Sequence, residues 1–221
     1  MDYVVPTAMD KRPKLRIYNW NVGGAIYQKK TELENFLEKH NVDVMFLQET
    51  LPRDHWRLKF PGYQAYKNRW NDTCRDTAIL IKDGISHYEY PLFVTNITAT
   101  AVIIKTRGTE IGVVSAYDSP DQQIRNKFFK DVYEKLFRIA DTVIVAGDFN
   151  SLHTFWGSRY NNARGIKLLK YTIDRDLSIH APDDITHIPS DPKKKENILD
   201  FGISKNLNST VNVFILHLAY N

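Results

Sequence analysis

Cysteine is almost absent from this chain: Cys74 stands alone among 221 residues. One thiol excludes an internal disulfide and any cysteine-rich zinc centre, and it fits a reducing, intracellular setting. No apolar run approaches the roughly eighteen residues a membrane-spanning helix needs. The first stretch, Met1–Pro13, is polar and charged and lacks the apolar core of a signal peptide; it is expected to be a loose leader. There is no internal repeat and no linker-like stretch, so one domain over residues 14–221 is expected. Gly23-Gly24 is not followed by the Lys-Ser/Thr of a phosphate-cradling Walker loop.

What is present is ordinary for a globular protein: 43% hydrophobic and 25% charged residues. Lysine and arginine number 30 against 26 acids, for a net charge of +4 and a sequence pI near 9.0. That excess fits a polyanionic partner without demanding one.

The pattern is of short buried strands that end in polar residues. Leu15, Ile17 and Asn19 alternate with Arg16, Tyr18 and Trp20, which predicts a strand ending at Asn21 and Gly23-Gly24. Thr31 and Glu34 have the spacing of a capping box, opening a helix with Leu33, Phe36 and Leu37 on one face. Val42–Leu47 reads as a second strand, followed by Gln48-Glu49-Thr50.

Tyr63–Lys67, Thr77–Lys82 and Ile85–Tyr90 read as further strands, with Asp83-Gly84 as a hairpin turn between the last two. Ile97–Lys105 and Ile111–Tyr117 form another pair around Arg107-Gly108-Thr109. Ser119, Pro120 and Gln122 resemble a helix start, before Ile124, Phe128, Val132, Leu136 and Ile139 at helical spacing.

Thr142–Asn150 is the centre of the pattern. Its β-branched run predicts a buried strand, and Gly147 ends it, with Asp148 and Asn150 following at once. Both residues favour turns; a carboxylate and an amide at the end of a buried strand also suit a hard cation or a phosphate. His153–Arg159 reads as a loop and Asn162–Ile173 as a helix with Arg164-Gly165 near its start. Ser178–Ala181 and Thr186–Ile188 read as short extended pieces and Lys193–Lys195 as a solvated turn. Asn197–Ser204 is a predicted strand holding Asp200 between Leu199 and Phe201, an unusual place for an acid. Val211–Leu218 is a last predicted strand.

The strand ends thus supply Asn21, Glu49, Tyr117, Asp148, Asn150 and Asp200. Several carboxylates with amides and a tyrosine suit magnesium-assisted phosphoryl transfer, whereas no cysteine or histidine cluster supports zinc.

The motifs Trp20–Gly24, Leu47–Thr50, Ser115–Pro120, Gly147–Asn150 and Leu199–Phe201 follow the order found in the endonuclease/exonuclease/phosphatase superfamily. Thr77–Lys82, the His153…Trp156-Gly157-Ser158 loop, Arg164-Gly165 and Ala181-Pro182…Thr186–Pro189 resemble, more narrowly, the endonuclease domain of jockey-like non-LTR (LINE-type) retrotransposons. The resemblance covers roughly residues 14 to 205. It implies an α/β fold, a four-layer sandwich of two packed, mainly antiparallel sheets flanked by helices.

It also implies roles. Glu49 would be the principal ligand of Mg2+, or of Mn2+, with Asn21 positioning metal and phosphate. Asp148 would orient or deprotonate water, Asn150 would bond the phosphate or that Asp, and Tyr117 would contact the scissile phosphate. Asp200 would orient a catalytic histidine, and Thr186 would line the DNA side of the cleft. The implied reaction is hydrolysis of double-stranded DNA by a monomer, leaving a 3′-hydroxyl that primes reverse transcription. The implied setting is the nucleus, with a reverse transcriptase in the intact element. Arg53, Arg57, Arg69, Arg75, Arg159 and Arg164 fall in candidate loops for phosphate contacts.

The chain departs from the family pattern in two places. Cys74-Arg75-Asp76 stands where that branch has consecutive glycines, and no Ser-Asp-His segment follows the Asp200 strand. His217 lies in an apolar run and reads as a packed residue. A truncated copy is the expectation drawn from these departures. Two other readings follow: a remnant that binds DNA without cleaving it, or another phosphodiesterase or phosphatase of the superfamily, such as a phosphoinositide phosphatase or a sphingomyelinase.

Overall fold

A computed structural model describes residues 15–24, 26–50, 58–68, 76–120, 126–188, 196–207 and 211–215, with 126–129 and 211–215 described by backbone alone. The expected leader, Cys74, Arg53, Arg57, Arg69, Arg75, Gln122, Ile124, Lys193–Lys195 and His217 lie outside the described residues.

In chain order the first half is β1 (Leu15–Asn21), α1 (Lys30–Lys39), β2 (Val44–Gln48), β3 (Tyr63–Lys67), β4 (Thr77–Lys82), β5 (His87–Tyr90) and β6 (Thr98–Lys105). The second half is β7 (Glu110–Tyr117), α2 (Asn126–Phe137), β8 (Thr142–Asp148), α3 (Ala163–Asp174), β9 (Ser178–His180), β10 (Asp200–Lys205) and β11 (Val211–Ile215). One sheet has the order β11-β1-β2-β4-β3 and the other β5-β6-β7-β8-β10-β9. The pairs β1–β11, β1–β2 and β7–β8 are parallel and the remaining pairs antiparallel.

The sheets pack face to face because their central strands are apolar on both sides. Ile17, Val44, Phe46, Ile79 and Ile81 of the first meet Val102, Ile104, Val113 and Ile144 of the second. Each such burial contributes about 1.5–3 kcal/mol relative to exposure. The outer face of the first sheet, with Tyr18, Trp20, Met45 and Leu80, is covered by Leu33, Phe36 and Leu37 of α1. On the second sheet, Val114, Val145, Phe201 and Ile203 lie under Tyr133 and Leu136 of α2 and Leu168 and Tyr171 of α3. Helix, sheet, sheet and helices make the expected four layers. Among the described residues no helix is long and apolar enough to cross a membrane.

Three local expectations are corrected. Asp83-Gly84 turns the chain, with Ile85 N–H on Lys82 O, but joins no hairpin. β4 pairs with β2 and β3 while β5 pairs with β6, so this turn carries the chain from one sheet to the other. The capping box is not formed: α1 starts at Lys30, its N-cap Lys29 makes no side-chain cap bond, and Glu34 pairs with Lys30 at 3.6 Å. Asp200 is the first residue of its strand rather than an interior one.

A buried polar seam crosses the apolar interface between the sheets. Gln48 Nε2 donates to Asn19 Oδ1 at 2.8 Å and to Ser115 Oγ at 2.9 Å, and Ser115 Oγ donates to Leu47 O at 2.9 Å. Nearby, Thr100 Oγ1 donates to Thr77 O at 2.9 Å and lies 2.8 Å from Thr77 Oγ1. The seam lies at the strand ends that carry the polar motifs.

Candidate active site

Strand direction brings those motifs together. Asn21 pairs in register with Gln48 on parallel β1 and β2; Tyr117 pairs with Asp148 on parallel β7 and β8; and Asp148 pairs with Asp200 on antiparallel β8 and β10. Four strands finish, and one begins, at the same end of the sandwich.

Asn21 joins the two sheets. Its Nδ2 donates to Glu49 Oε1 and to Asp148 Oδ2, both at 3.0 Å, while its Oδ1 accepts from Gly23 N–H at 3.0 Å. The Gly23 N–H fixes which end of the amide is oxygen. The amide therefore presents donors to the two carboxylates, and positioning them is what this geometry provides.

The backbone is bent to reach this arrangement. Glu49 has φ 51° and Asn150 φ 46°, in the left-handed region, where a residue like Glu pays roughly 1–2 kcal/mol. Glu49 is held there by its N–H on Asp76 O and by Gly24 N–H on its carbonyl, both at 2.8 Å. Asn150 N–H donates to Asp148 Oδ1 at 2.9 Å, closing the turn. Gly147 is required by close approach: a Cβ there would lie 1.8 Å from Ala116 O on the neighbouring strand.

Burial dominates the electrostatics. Asp148 is pushed well above the usual carboxylate range by desolvation first, then by Asp200 and Glu49, against the bonds from Asn150 and Asn21. Asp200 is raised to about 7, mainly by burial and also by Glu49, with its hydrogen bond to Thr186 opposing. Asp200 Oδ1 is buried and has no hydrogen-bond partner among the described residues.

Oxygen donors with one half-buried carboxylate in front suit a hard cation that keeps water and phosphate oxygens as its other ligands, as Mg2+ does. Among the described residues no three His, Cys, Asp or Glu side chains gather as a metal cage, so an ion here would rest on few protein ligands and on oxygens of water and phosphate. A carboxylate held beside such a cation is placed to accept a proton from water.

The structure brings together Asn21, Glu49, Asp148, Asn150 and Asp200, with Tyr117 one strand away and buried. The three residues expected to face DNA part company. Arg159 has a side chain 52% exposed, 3.5 Å from Glu196 Oε2. Thr186 is buried, and its Oγ1 accepts from the N–H groups of Leu199 at 2.9 Å and Asp200 at 3.1 Å, so it sets the start of β10 rather than lining an open cleft. Arg164 is 6% exposed and ion-paired with buried Asp118, so its guanidinium is engaged inside the protein.

Sequence reading passed over Asp118, Asn162 and Gln48 as parts of the site's frame. Asn162 had a visible signal: an Asn just ahead of a helical run. It caps α3 through Gly165 N–H at 2.7 Å and donates to Asn150 O at 3.1 Å.

Comparisons with known proteins agree with this fold. The chain is 29% identical over 195 residues to the probable RNA-directed DNA polymerase from transposon X-element of Drosophila melanogaster, covering 86% of this chain and 21% of that protein. It is 27% identical over 211 residues to the RNA-directed DNA polymerase from mobile element jockey of Drosophila funebris, covering 93% and 22%. The chain thus spans about a fifth of the length of these relatives. Among solved structures it resembles the endonuclease domain of TRAS1, a telomere-specific non-LTR retrotransposon, with TM-score 0.70, 24% identity and coverage of 86% and 84%. It also resembles the AP endonuclease LMAP of Leishmania major, with TM-score 0.68, 14% identity and coverage of 93% and 84%. The family model described as endonuclease/exonuclease/phosphatase matches residues 18–200, and the chain belongs to that family.

Proposed function

We propose that this chain is a divalent-metal-dependent DNA endonuclease that nicks a duplex to supply a primer for reverse transcription. The observation that carries the reading is the Asn21 amide holding Glu49 and Asp148 together, with Asp200 opposite Asp148. Glu49 is the proposed principal ligand of Mg2+, with Mn2+ as a substitute. When bound, the ion would stabilise developing negative charge on the phosphate. Asn21 keeps the two carboxylates at fixed separation. Asp148, held by Asn150 N–H and by the Asn21 amide, orients the attacking water and takes its proton. Tyr117 and the Asn150 amide are the proposed phosphate donors.

The relatives' names supply the context. Two are RNA-directed DNA polymerases of mobile elements and one solved neighbour is a retrotransposon endonuclease, which supports a nick made for an attached reverse transcriptase on genomic DNA, hence in the nucleus. The six site residues come from one chain, so a monomer acting as one domain suffices.

A second reading is favoured by one observation. The net charge of +4 suits contact with a polyanion without any chemistry, and it supports a domain that binds DNA without cutting it. Nicking of supercoiled plasmid with Mg2+, beside Asp148→Ala, separates the two. Nicking lost in the variant supports the enzyme. Equal, negligible nicking with salt-sensitive DNA binding in both supports the binder, and phosphoinositide hydrolysis without nicking would displace both.

A further inference from the structure

We infer that Arg164 is a positioning residue, clamping the segment after β7 onto the segment after β8 so that Tyr117 and Asn150 stand in fixed places beside Asp148. Its catalytic consequence rests on the endonuclease reading; the clamp itself does not.

Arg164 sits in the first turn of α3 with its side chain 6% exposed, and Asp118, its partner, is 7% exposed. Nη1 pairs with Asp118 Oδ1, while Nη2 donates to Ser119 O at 2.9 Å. The second carboxylate oxygen, Asp118 Oδ2, accepts from Tyr133 of α2 at 3.1 Å. The planar guanidinium thus grips a side chain and the next carbonyl, a geometry lysine cannot copy.

What it grips is part of the site. Asp118 follows Tyr117 directly, its N–H donates to Asp148 O at 2.9 Å, and its carbonyl accepts from Asn150 Nδ2 at 3.1 Å. The same turn of α3 holds the other side of Asn150, whose carbonyl accepts from Asn162 at 3.1 Å. Contact there is tight, since a Cβ on Gly165 would lie 2.0 Å from Leu152 O. The start of α3 therefore holds both segments, Asn162 the one after β8 and Arg164 the one after β7.

Stability alone is a weak explanation for such a pair, because a buried ion pair gains little over apolar residues of the same shape. A fixed relative position for two loops is what the apolar alternative would not supply.

The test is amide hydrogen exchange on Arg164→Met, Arg164→Lys and Tyr133→Phe, with nicking measured in parallel. In R164M the Asp118 and Asn150 amides are expected to lose protection by about tenfold or more, the size of one lost charged hydrogen bond, while Val145 and Ile203 keep theirs. R164K restores part of it through the Asp118 pair, and Y133F gives a smaller loss at the same two amides. R164K and Y133F carry the test where R164M, with its stranded carboxylate, does not fold. Unchanged protection at those amides, or an equal loss along β8 and β10, overturns the clamp. Where wild type nicks above Asp148→Ala, R164K is expected to lower kcat with KM for DNA little changed; a change in KM alone also overturns it. Absence of nicking in wild type counts against the endonuclease reading and leaves the exchange result to judge the clamp.

Discussion

Asp148 and Asp200 are register partners on β8 and β10, so two buried carboxyls end one antiparallel ladder side by side. Unfolded, Asp200 releases its proton near pH 4; folded, it holds it to about 7. Between those values the folded state binds the extra proton, so this residue's effect is to favour folding at the acid end and to weaken it as pH rises through the window. Asp148 is shifted in the same direction. Asp200→Asn is expected to flatten the decline between pH 4 and 7 and to raise the urea midpoint at pH 8. Unfolding curves in chelator, across that range, check it; parallel profiles for variant and wild type would sink the idea.

Glu49 supplies the metal prediction. Mg2+ binding to the fold alone adds about 2.7 kcal/mol at a hundred times its Kd, so wild-type melting should rise with Mg2+. Glu49→Gln keeps an acceptor for Asn21 but removes the charge, and its melting curve should be insensitive to Mg2+. Calorimetric scans with and without EDTA read both, and an equal Mg2+ response would dismiss Glu49 as the ligand.

Gly147 carries the sharpest steric prediction. Its Cβ position is 1.8 Å from Ala116 O, which is backbone and cannot swing aside. Gly147→Ala should cost about 3 kcal/mol, at the upper end of overpacking, or prevent folding. Denaturant unfolding measures this, and a loss below about 1 kcal/mol would contradict the contact.

Asn162 separates capping from loop anchoring. Asn162→Ala loses both and should cost about 1–2 kcal/mol. Asn162→Asp keeps an acceptor for Gly165 N–H, at a helix N-terminus that favours negative charge, but loses the donor to Asn150 O. It should keep most of the stability and lose more of the nicking. Equal losses of both properties in the two variants would reject the distinction.

The layered fold was legible because its signals are local. Central strands such as Val143–Ala146 are apolar throughout, and Arg107-Gly108 joins strands that do pair. Asp83-Gly84 misled for the same reason: a tight turn says that the chain reverses, not which sheet the next strand joins. The five strand-end motifs were visible as polar residues after apolar runs. The partners of Arg164 and Thr186 were not, because Asp118 and Leu199 are distant in sequence and only the fold brings them near. An arginine beside a glycine then reads as a surface loop residue, and the same arginine is interior.

The seam at Gln48 has a consequence for how the halves of the molecule meet. Contacts among Val, Ile and Phe are non-directional, so they reward close packing without naming a particular partner. Gln48 acts as a dowel: its amide hydrogens find Asn19 in its own sheet and Ser115 in the facing one, and any slip would leave them buried with nothing to bond. Glu49 is the next residue along, and Tyr117 stands two beyond Ser115. The peg that aligns the sheets thus also fixes the gap across which their polar ends face each other.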